Sequence, residues 1–220
     1  MFIFLCEKTW RQAMAKSVKI RLEEAQDYRL TENLVREAFW NVYRPGALEH
    51  FVLHQFRNRP EFCRNLDFVM EYDGEIIGQA MFVKNTLKTQ GGEELPILSL
   101  GPICIHPQHQ RKGLGKQLLD YAVAQAEQTD AEGIFMEGNI NFYGKCGFVV
   151  ASTLGVHYMD EPSDDPVPYF LGKILKPKHF ENLDTRYYIP QGYLVDEKQV
   201  DEFDKQFPYK EKLRLPGQLV

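Results

Sequence analysis

The fold is decided by one stretch, Leu95-Pro96-Ile97-Leu98-Ser99-Leu100-Gly101-Pro102-Ile103-Cys104-Ile105, together with the turn directly after it, His106-Pro107-Gln108-His109-Gln110-Arg111-Lys112-Gly113-Leu114-Gly115-Lys116. The first part is nearly all apolar, the pattern of a strand buried on both faces. Beyond the turn, Leu118, Leu119, Ala122, Val123 and Ala126 recur at helical spacing. A turn that feeds a buried strand into a helix presents consecutive N–H groups at the positive helix end, a setting suited to a phosphate or pyrophosphate. Gly113 and Gly115 let oxygen atoms approach the backbone where a Cβ would stand in the way. Arg111, Lys112 and Lys116 add positive charge. The loop is not GxxxxGK[ST], and no Ser or Thr is placed for Mg²⁺. Nor is it GxGxxG, so a dinucleotide fold is disfavoured. The plainer alternative is a glycine turn with a basic helix start.

Upstream, Val18, Ile20 and Leu22 alternate with polar residues and predict a half-buried strand. A helix is expected over Asp27–Phe39, with Asp27 or Thr31 available as its cap, and a second over Ala47–Arg57 after Arg44-Pro45-Gly46. Asp67–Tyr72, Asp73-Gly74 and Glu75–Lys84 predict a hairpin, with a longer loop over Thr86–Glu94. Downstream come a strand at Gly133–Glu137, a short helix from Ile140 to Cys146 ended by Gly147, strands at Phe148–Thr153 and Tyr169–Leu175, and an acidic, proline-containing loop from Asp160 to Pro168. Residues 176–220 are polar and tyrosine-rich. They predict one helix near Glu197–Gln206 and a segment that wraps the core. This alternation calls for an α/β (α+β layered) domain around a mixed sheet. The expected division is an extension over 1–17, a domain over 18–175 and a C-terminal extension over 176–220.

At 220 residues, with 44% apolar and 26% charged side chains, one substantial core is the default. Lys and Arg number 26 against 31 Asp and Glu, a net charge of −5, which disfavours nucleic acid as a partner. No apolar run approaches the roughly 20 residues that span a bilayer, so no membrane partner is expected. Phe2–Cys6 is too short for a secretion signal, and Met14 is an alternative start. Cys6, Cys63, Cys104 and Cys146 are scattered without a CxxC pair, as free thiols of a cytoplasmic protein would be. His50 and His54 lie four apart on a predicted helix, but no third ligand accompanies them. His106 and His109 belong to the loop, and no metal is expected.

Gln110, Gly113 and Gly115, with Arg111-Lys112 between, match a signature of Arg or Gln, two free positions, Gly, one free position, then Gly or Ala. Asn141-Phe142-Tyr143-Gly144-Lys145-Cys146-Gly147-Phe148 is similar to a Phe/Tyr-Tyr-x-x-x-Gly-Phe segment. Both features, in this order, resemble the GNAT superfamily of acetyl-CoA-dependent N-acetyltransferases over about Val18–Leu175. The resemblance implies a mostly antiparallel sheet flanked by helices, whose fourth and fifth strands splay to hold acetyl-CoA. It implies main-chain bonds to the cofactor from Ile103, Cys104 and Ile105, a pyrophosphate held by Gln110, Arg111, Lys112, Gly113, Leu114, Gly115 and Lys116, and cofactor contacts from Asn139 and Asn141. Asn141 could instead cap the short helix.

The resemblance also implies direct attack by an amine, with Tyr143 as the acid that protonates the departing thiolate; packing against the cofactor is the alternative. Some relatives carry a Glu on the fourth strand, but Leu98–Ile105 here has only Ser99 as a polar side chain. Glu71, Glu137 or a water chain remain as bases. Cys104 lacks the partner a nucleophile needs, and Cys146 stands where an aromatic residue is common. Asp160, Glu161, Asp164 and Asp165 fall in a connection that commonly lies over the acceptor site, where acids would attract a cationic amine. Tyr187, Tyr188 and Tyr193 could cover that pocket, bury a subunit contact or simply pack. The implied function is acetyl transfer to a primary amine, with small-molecule acceptors slightly favoured, by a monomer or homodimer. A silent acyl-CoA sensor, acetylation of a protein N-terminus or lysine, and ATP binding are the rivals.

Overall fold

The computed structural model describes residues 17–164 and 166–218. Expectations for Cys6, for a start at Met14 and for Asp165 lie outside them. The elements run β1 (Val18–Leu22), α1 (Tyr28–Phe39), α2 (Glu49–Phe56), β2 (Phe62–Tyr72), β3 (Glu75–Lys88), β4 (Glu94–Ile105), α3 (Leu114–Ala126), β5 (Gly133–Glu137), α4 (Ile140–Tyr143), β6 (Val149–Val150), β7 (Val156–Tyr158), β8 (Phe170–Ile174), β9 (Thr185–Tyr187) and α5 (Glu197–Asp204).

Among the described residues, seven strands form one sheet in the order β1-β2-β3-β4-β5-β8-β6, antiparallel except where β5 runs beside β4. One face packs against α3 through Phe68, Met70, Phe82, Leu98, Leu100, Ile134 and Met136. On the other, Met81, Val83 and Cys104 meet Leu34 and Val35 of α1 and Val52, Leu53 and Phe56 of α2. Phe135, Phe170 and Tyr187 continue that second face toward the C-terminal segment.

The sheet is not regular at β4. Ala80 faces Ile103 and Phe82 faces Leu100, so β4 advances three residues while β3 advances two. This is a bulge at Gly101 and Pro102, which are joined by a cis peptide. The β4–β5 ladder covers only Leu98 with Ile134 and Ser99 with Phe135, whereas β4 continues to Ile105 and β5 to Glu137. A wedge-shaped gap therefore opens between their C-terminal ends.

Several boundaries differ from the sequence reading. The Asp73-Gly74 turn holds, both residues taking positive φ, but β2 and β3 are longer than alternation indicated, and β3 and β4 absorb part of the loop expected over Thr86–Glu94. Neither Asp27 nor Thr31 caps α1 through its side chain. Asp27 instead accepts from the Glu24 N–H at 2.9 Å in a preceding 3-10 turn, and Thr31 is buried mid-helix. The strand expected over Phe148–Thr153 is cut to Val149–Val150, because Ala151–Leu154 turns into a 3-10 helix.

The segment after Leu175 is fixed to the core by specific contacts. β9 pairs in parallel with β7. Asp204 on α5 accepts two bonds, at 2.5 and 3.1 Å, from Arg36, which is 1% exposed on α1. His50 lies 3.3 Å from the same carboxylate, and burial lowers its pKa to about 4. His54 instead meets Glu32 at 2.8 Å, so the two histidines do not converge.

Candidate functional site

The gap between β4 and β5 leaves main-chain groups without a strand partner. The His106 N–H bonds to the Ile77 carbonyl at 2.7 Å, and the register sets Ile105 opposite Gly78 and Ile103 opposite Ala80. In an antiparallel ladder, bonding alternates along the strand. The N–H groups of Ile103 and Ile105 thus face away from β3, into the gap. Cys104, between them, turns its side chain to the α2 face. Burial drives its thiol up to about 12, so it is no thiolate nucleophile.

At the mouth of the gap the chain makes the glycine turn. Gln110 does not point outward; its Nε2 donates to the Ile105 carbonyl at 2.9 Å and ties the turn to the strand end. Arg111 at φ +60° and Gly113 at φ +83° both adopt left-handed backbone, the kind of pattern that builds concave arrays of N–H groups. Gly113 directly precedes α3. A side chain there would meet no atom within 4 Å, so its φ rather than crowding demands glycine. The first N–H groups of α3, those of Leu114, Gly115 and Lys116, have no intrahelical acceptor. The Leu114 side chain is buried beneath them and anchors the turn. Lys112 caps the Gln108 carbonyl at 2.9 Å, and Lys116 pairs with Asp120 one helical turn on.

Across the gap, Asn139 caps α4, accepting from the Asn141 N–H at 2.9 Å. The capping role expected of Asn141 falls on Asn139 because Asn139, at φ −84° and ψ 111°, is the last extended residue before the helix. Tyr143 closes α4 with its ring against Gly138, where a Cβ would come within 2.5 Å of the ring. Its ring also packs edge-on to Phe142 and Phe148, with centroids 4.9 and 5.9 Å apart. Burial raises the Tyr143 hydroxyl well above its ordinary range, with Tyr43 and Cys104 among its electrostatic neighbours. Among the described residues no hydrogen-bond partner holds that hydroxyl.

The C-terminal segment supplies the wall on the α2 side. Tyr187 shares a 2.8 Å hydrogen bond with Ser99, and Tyr193 donates to the Gly101 carbonyl at 2.6 Å. Both hydroxyls reach β4 where the strands separate, whereas Tyr188 bonds Asp160 on the acidic loop. Glu137, at the end of β5, accepts from Tyr158 at 2.5 Å. Glu71 is instead paired with Arg21 on β1, far across the sheet from β5. Glu161 holds the loop through its main-chain carbonyl, which accepts from Arg186. Among the described residues no group of three or more His, Cys, Asp or Glu could hold a metal ion, and no helix is long and apolar enough to cross a membrane.

Sequence reasoning missed two features of this region. The β4 bulge is marked only by Gly101-Pro102, a dipeptide that also suits a turn. Glu49 falls among apolar residues of α2, where helical spacing alone gave it no role.

A family model described as acetyltransferase (GNAT) family matches residues 30–148. Among solved structures, a GNAT family N-acetyltransferase from Escherichia coli in complex with CoA is 19% identical, covers 81% of this chain and 93% of its own, and superposes with a TM-score of 0.67. A GNAT family acetyltransferase from Brucella melitensis in complex with acetyl-CoA is 24% identical, with coverages of 78% and 96% and a TM-score of 0.58. At these identities the likeness establishes the fold. No curated protein matches the chain.

Proposed function

This chain belongs to the GNAT acetyltransferase family, and from that premise we propose that it transfers the acetyl group of acetyl-CoA to a primary amine by direct attack, as a cytoplasmic enzyme acting on a small molecule. The observation that carries this reading is the gap itself, a parallel pairing limited to two residue pairs, flanked by the inward N–H groups of Ile103 and Ile105 and ending at the turn 110–116. Coenzyme A fits these groups chemically. The pyrophosphate needs N–H donors and positive charge, which Gly113, Leu114, Gly115, Arg111, Lys112 and Lys116 offer. The pantetheine amides need an extended main chain, which Ile103, Cys104 and Ile105 offer. Asn139 uses its side chain as a cap, leaving Asn141 as the freer contact.

In this arrangement the Ile103 and Ile105 amides would stabilise negative charge on the thioester oxygen as the amine attacks. Holding donor and acceptor in one cleft removes much of the entropic barrier of a two-substrate reaction. The Tyr143 hydroxyl, unengaged and kept protonated by burial, would supply a proton to the leaving sulfur. The excess of acid over base on the chain, including Asp160, Glu161 and Asp164, favours a cationic acceptor.

The test is release of free thiol from acetyl-CoA against a panel of spermidine, glucosamine, tyramine and peptides with a free N-terminus or lysine. Transfer to one of the small amines supports the reading. Transfer only to peptides would reverse the acceptor preference, and none at all would leave a CoA-binding module. Tyr143→Phe should lower kcat by about 10²-fold with the KM for acetyl-CoA unchanged. An unaltered kcat removes Tyr143 from the chemistry.

A further inference from the structure

We infer that Glu49, at the start of α2, is the general base that takes the proton from the attacking amine, a role that rests on the acetyl-transfer reading above. Leu98–Ile105 carries no acid, so a carboxylate base has to come from another element, one packed against β4. Val52, Leu53 and Phe56 mark the side of α2 that lies on the sheet, in one cluster with Cys104. Glu49 precedes Val52 by three residues and Leu53 by four, which sets it on that same side of the helix. Its Oε2 accepts from the Leu48 N–H at 2.9 Å, and no ion pair holds the carboxylate among the described residues. Arg44, the cation whose charge acts on it, is paired with Glu197 instead.

Tyr143 stands on the opposite face of the sheet. It packs with Ile103 against the α3-side core, yet its hydroxyl feels Cys104 and Tyr43. The charge of Glu49 acts on those same two groups. Cys104 lies between the two residues whose N–H groups face the gap. Because β4 and β5 have separated there, a carboxylate from one face and a phenol from the other can address one substrate in the opening. Burial raises the Glu49 pKa against its own N–H, the Leu48 N–H and Arg44, which brings a carboxylate nearer the range where a base works at neutral pH. The ionisable groups that interact with it are Tyr43 and Arg44 on the preceding connection and Cys104 on β4.

The step balances without a further reactant. The amine nitrogen forms the N–C bond and passes a proton to the Glu49 carboxylate. The C–S bond breaks, and the thiolate takes the Tyr143 proton.

Kinetics are first measured on the wild type with whichever amine of the panel it acetylates. If it acetylates none, the acetyl-transfer reading falls, and the base assignment falls with it. Glu49→Gln should then lower kcat by about 10²-fold or more, leave the KM for acetyl-CoA unchanged, and abolish the carboxylate inflection in the pH profile of kcat/KM while keeping the inflection of the amine itself. A variant that transfers acetyl at the wild-type rate, or keeps both inflections, overturns the assignment while the acetyl-transfer reading stands. If Glu49→Gln does not fold, Glu49→Asp decides. A carboxylate withdrawn by one methylene should lose at least tenfold in kcat with its inflection retained, and an unchanged kcat overturns the role.

Discussion

The two ends of α2 treat charge in opposite ways. Just past the C-terminal end, Arg57 is 3% exposed and donates four hydrogen bonds: two to Glu23 at 2.8 and 3.0 Å, one to Glu32 at 2.7 Å and one to Thr31 at 2.8 Å. Its guanidinium also lies 4.0 Å from the centre of the Tyr28 ring. Burial works against the charge on Glu32, but the His54 hydrogen bond and Arg57 outweigh it and hold the carboxyl below its usual range. At the N-terminal end, Glu49 has only backbone donors, its own N–H and that of Leu48, and a pKa moved the other way. A saturated charge network cannot take up a proton or bind a ligand without breaking bonds already made, so it serves as structure. The end left open is the one that faces the gap.

The largest effect should come from opening the closed end. Arg57→Met strands Glu23 and Glu32 without their partner and should cost about 3–5 kcal/mol. Chemical denaturation would register this as a lower midpoint. A midpoint equal to wild type would mean the network is structurally idle and the contrast false. Any folded Arg57→Met molecules should still bind CoA, since the gap lies elsewhere.

A smaller effect is expected at the mouth of the gap, in the turn before α3. Gly113→Ala forces a Cβ into left-handed backbone, at about 1–2 kcal/mol. It should raise the KM for acetyl-CoA several-fold by distorting the turn while leaving kcat nearly intact. A large fall in kcat with normal KM would show that the turn does more than bind.

The smallest effect concerns Asp67, beside the network. Burial, together with the neighbouring Glu23, raises its pKa well above 3.8, and Gln79 donates to it at 2.9 Å. The native state therefore keeps a proton that the unfolded chain releases, and stability falls as pH rises from about 3.8 through the raised native value. Asp67→Asn keeps the Gln79 bond and removes the titration. Denaturation midpoints measured across pH should lose that decline, with little change at acid pH. A decline of the same size in the variant would place its origin in another group.

How much was legible in the sequence depended on the length of the pattern. α3 showed because five buried residues recur along it at helical spacing, and β5 because Gly133 and Glu137 bracket an apolar run. The two-residue β6 and three-residue β7 and β9 are too short to carry a period, and their pairing is set by partners far along the chain. The phosphate turn was legible as a motif, but the left-handed Arg111 was not, since nothing in an arginine announces positive φ. Glu49 was illegible for a different reason. Whether an acid on an amphipathic helix is solvated or turned toward a cleft depends on the phase of α2 against the sheet, and only the packing of Val52 and Leu53 fixes that phase.

The extra residue at Gly101 and Pro102 has a consequence that amounts to parity. Upstream of it, even-numbered β4 positions such as Leu98 and Leu100 lie on the α3 side; downstream, odd-numbered Ile103 and Ile105 do. Strand geometry counts in twos, so one surplus residue inverts every position after it. Had the same residues run as a regular strand with no bulge, Cys104 would point at α3, and a different pair of amides would open toward β5. The bulge absorbs one residue, so that Leu98, Leu100, Ile103 and Ile105 share the α3 side across an odd count, and it thereby sets which amides the cleft presents.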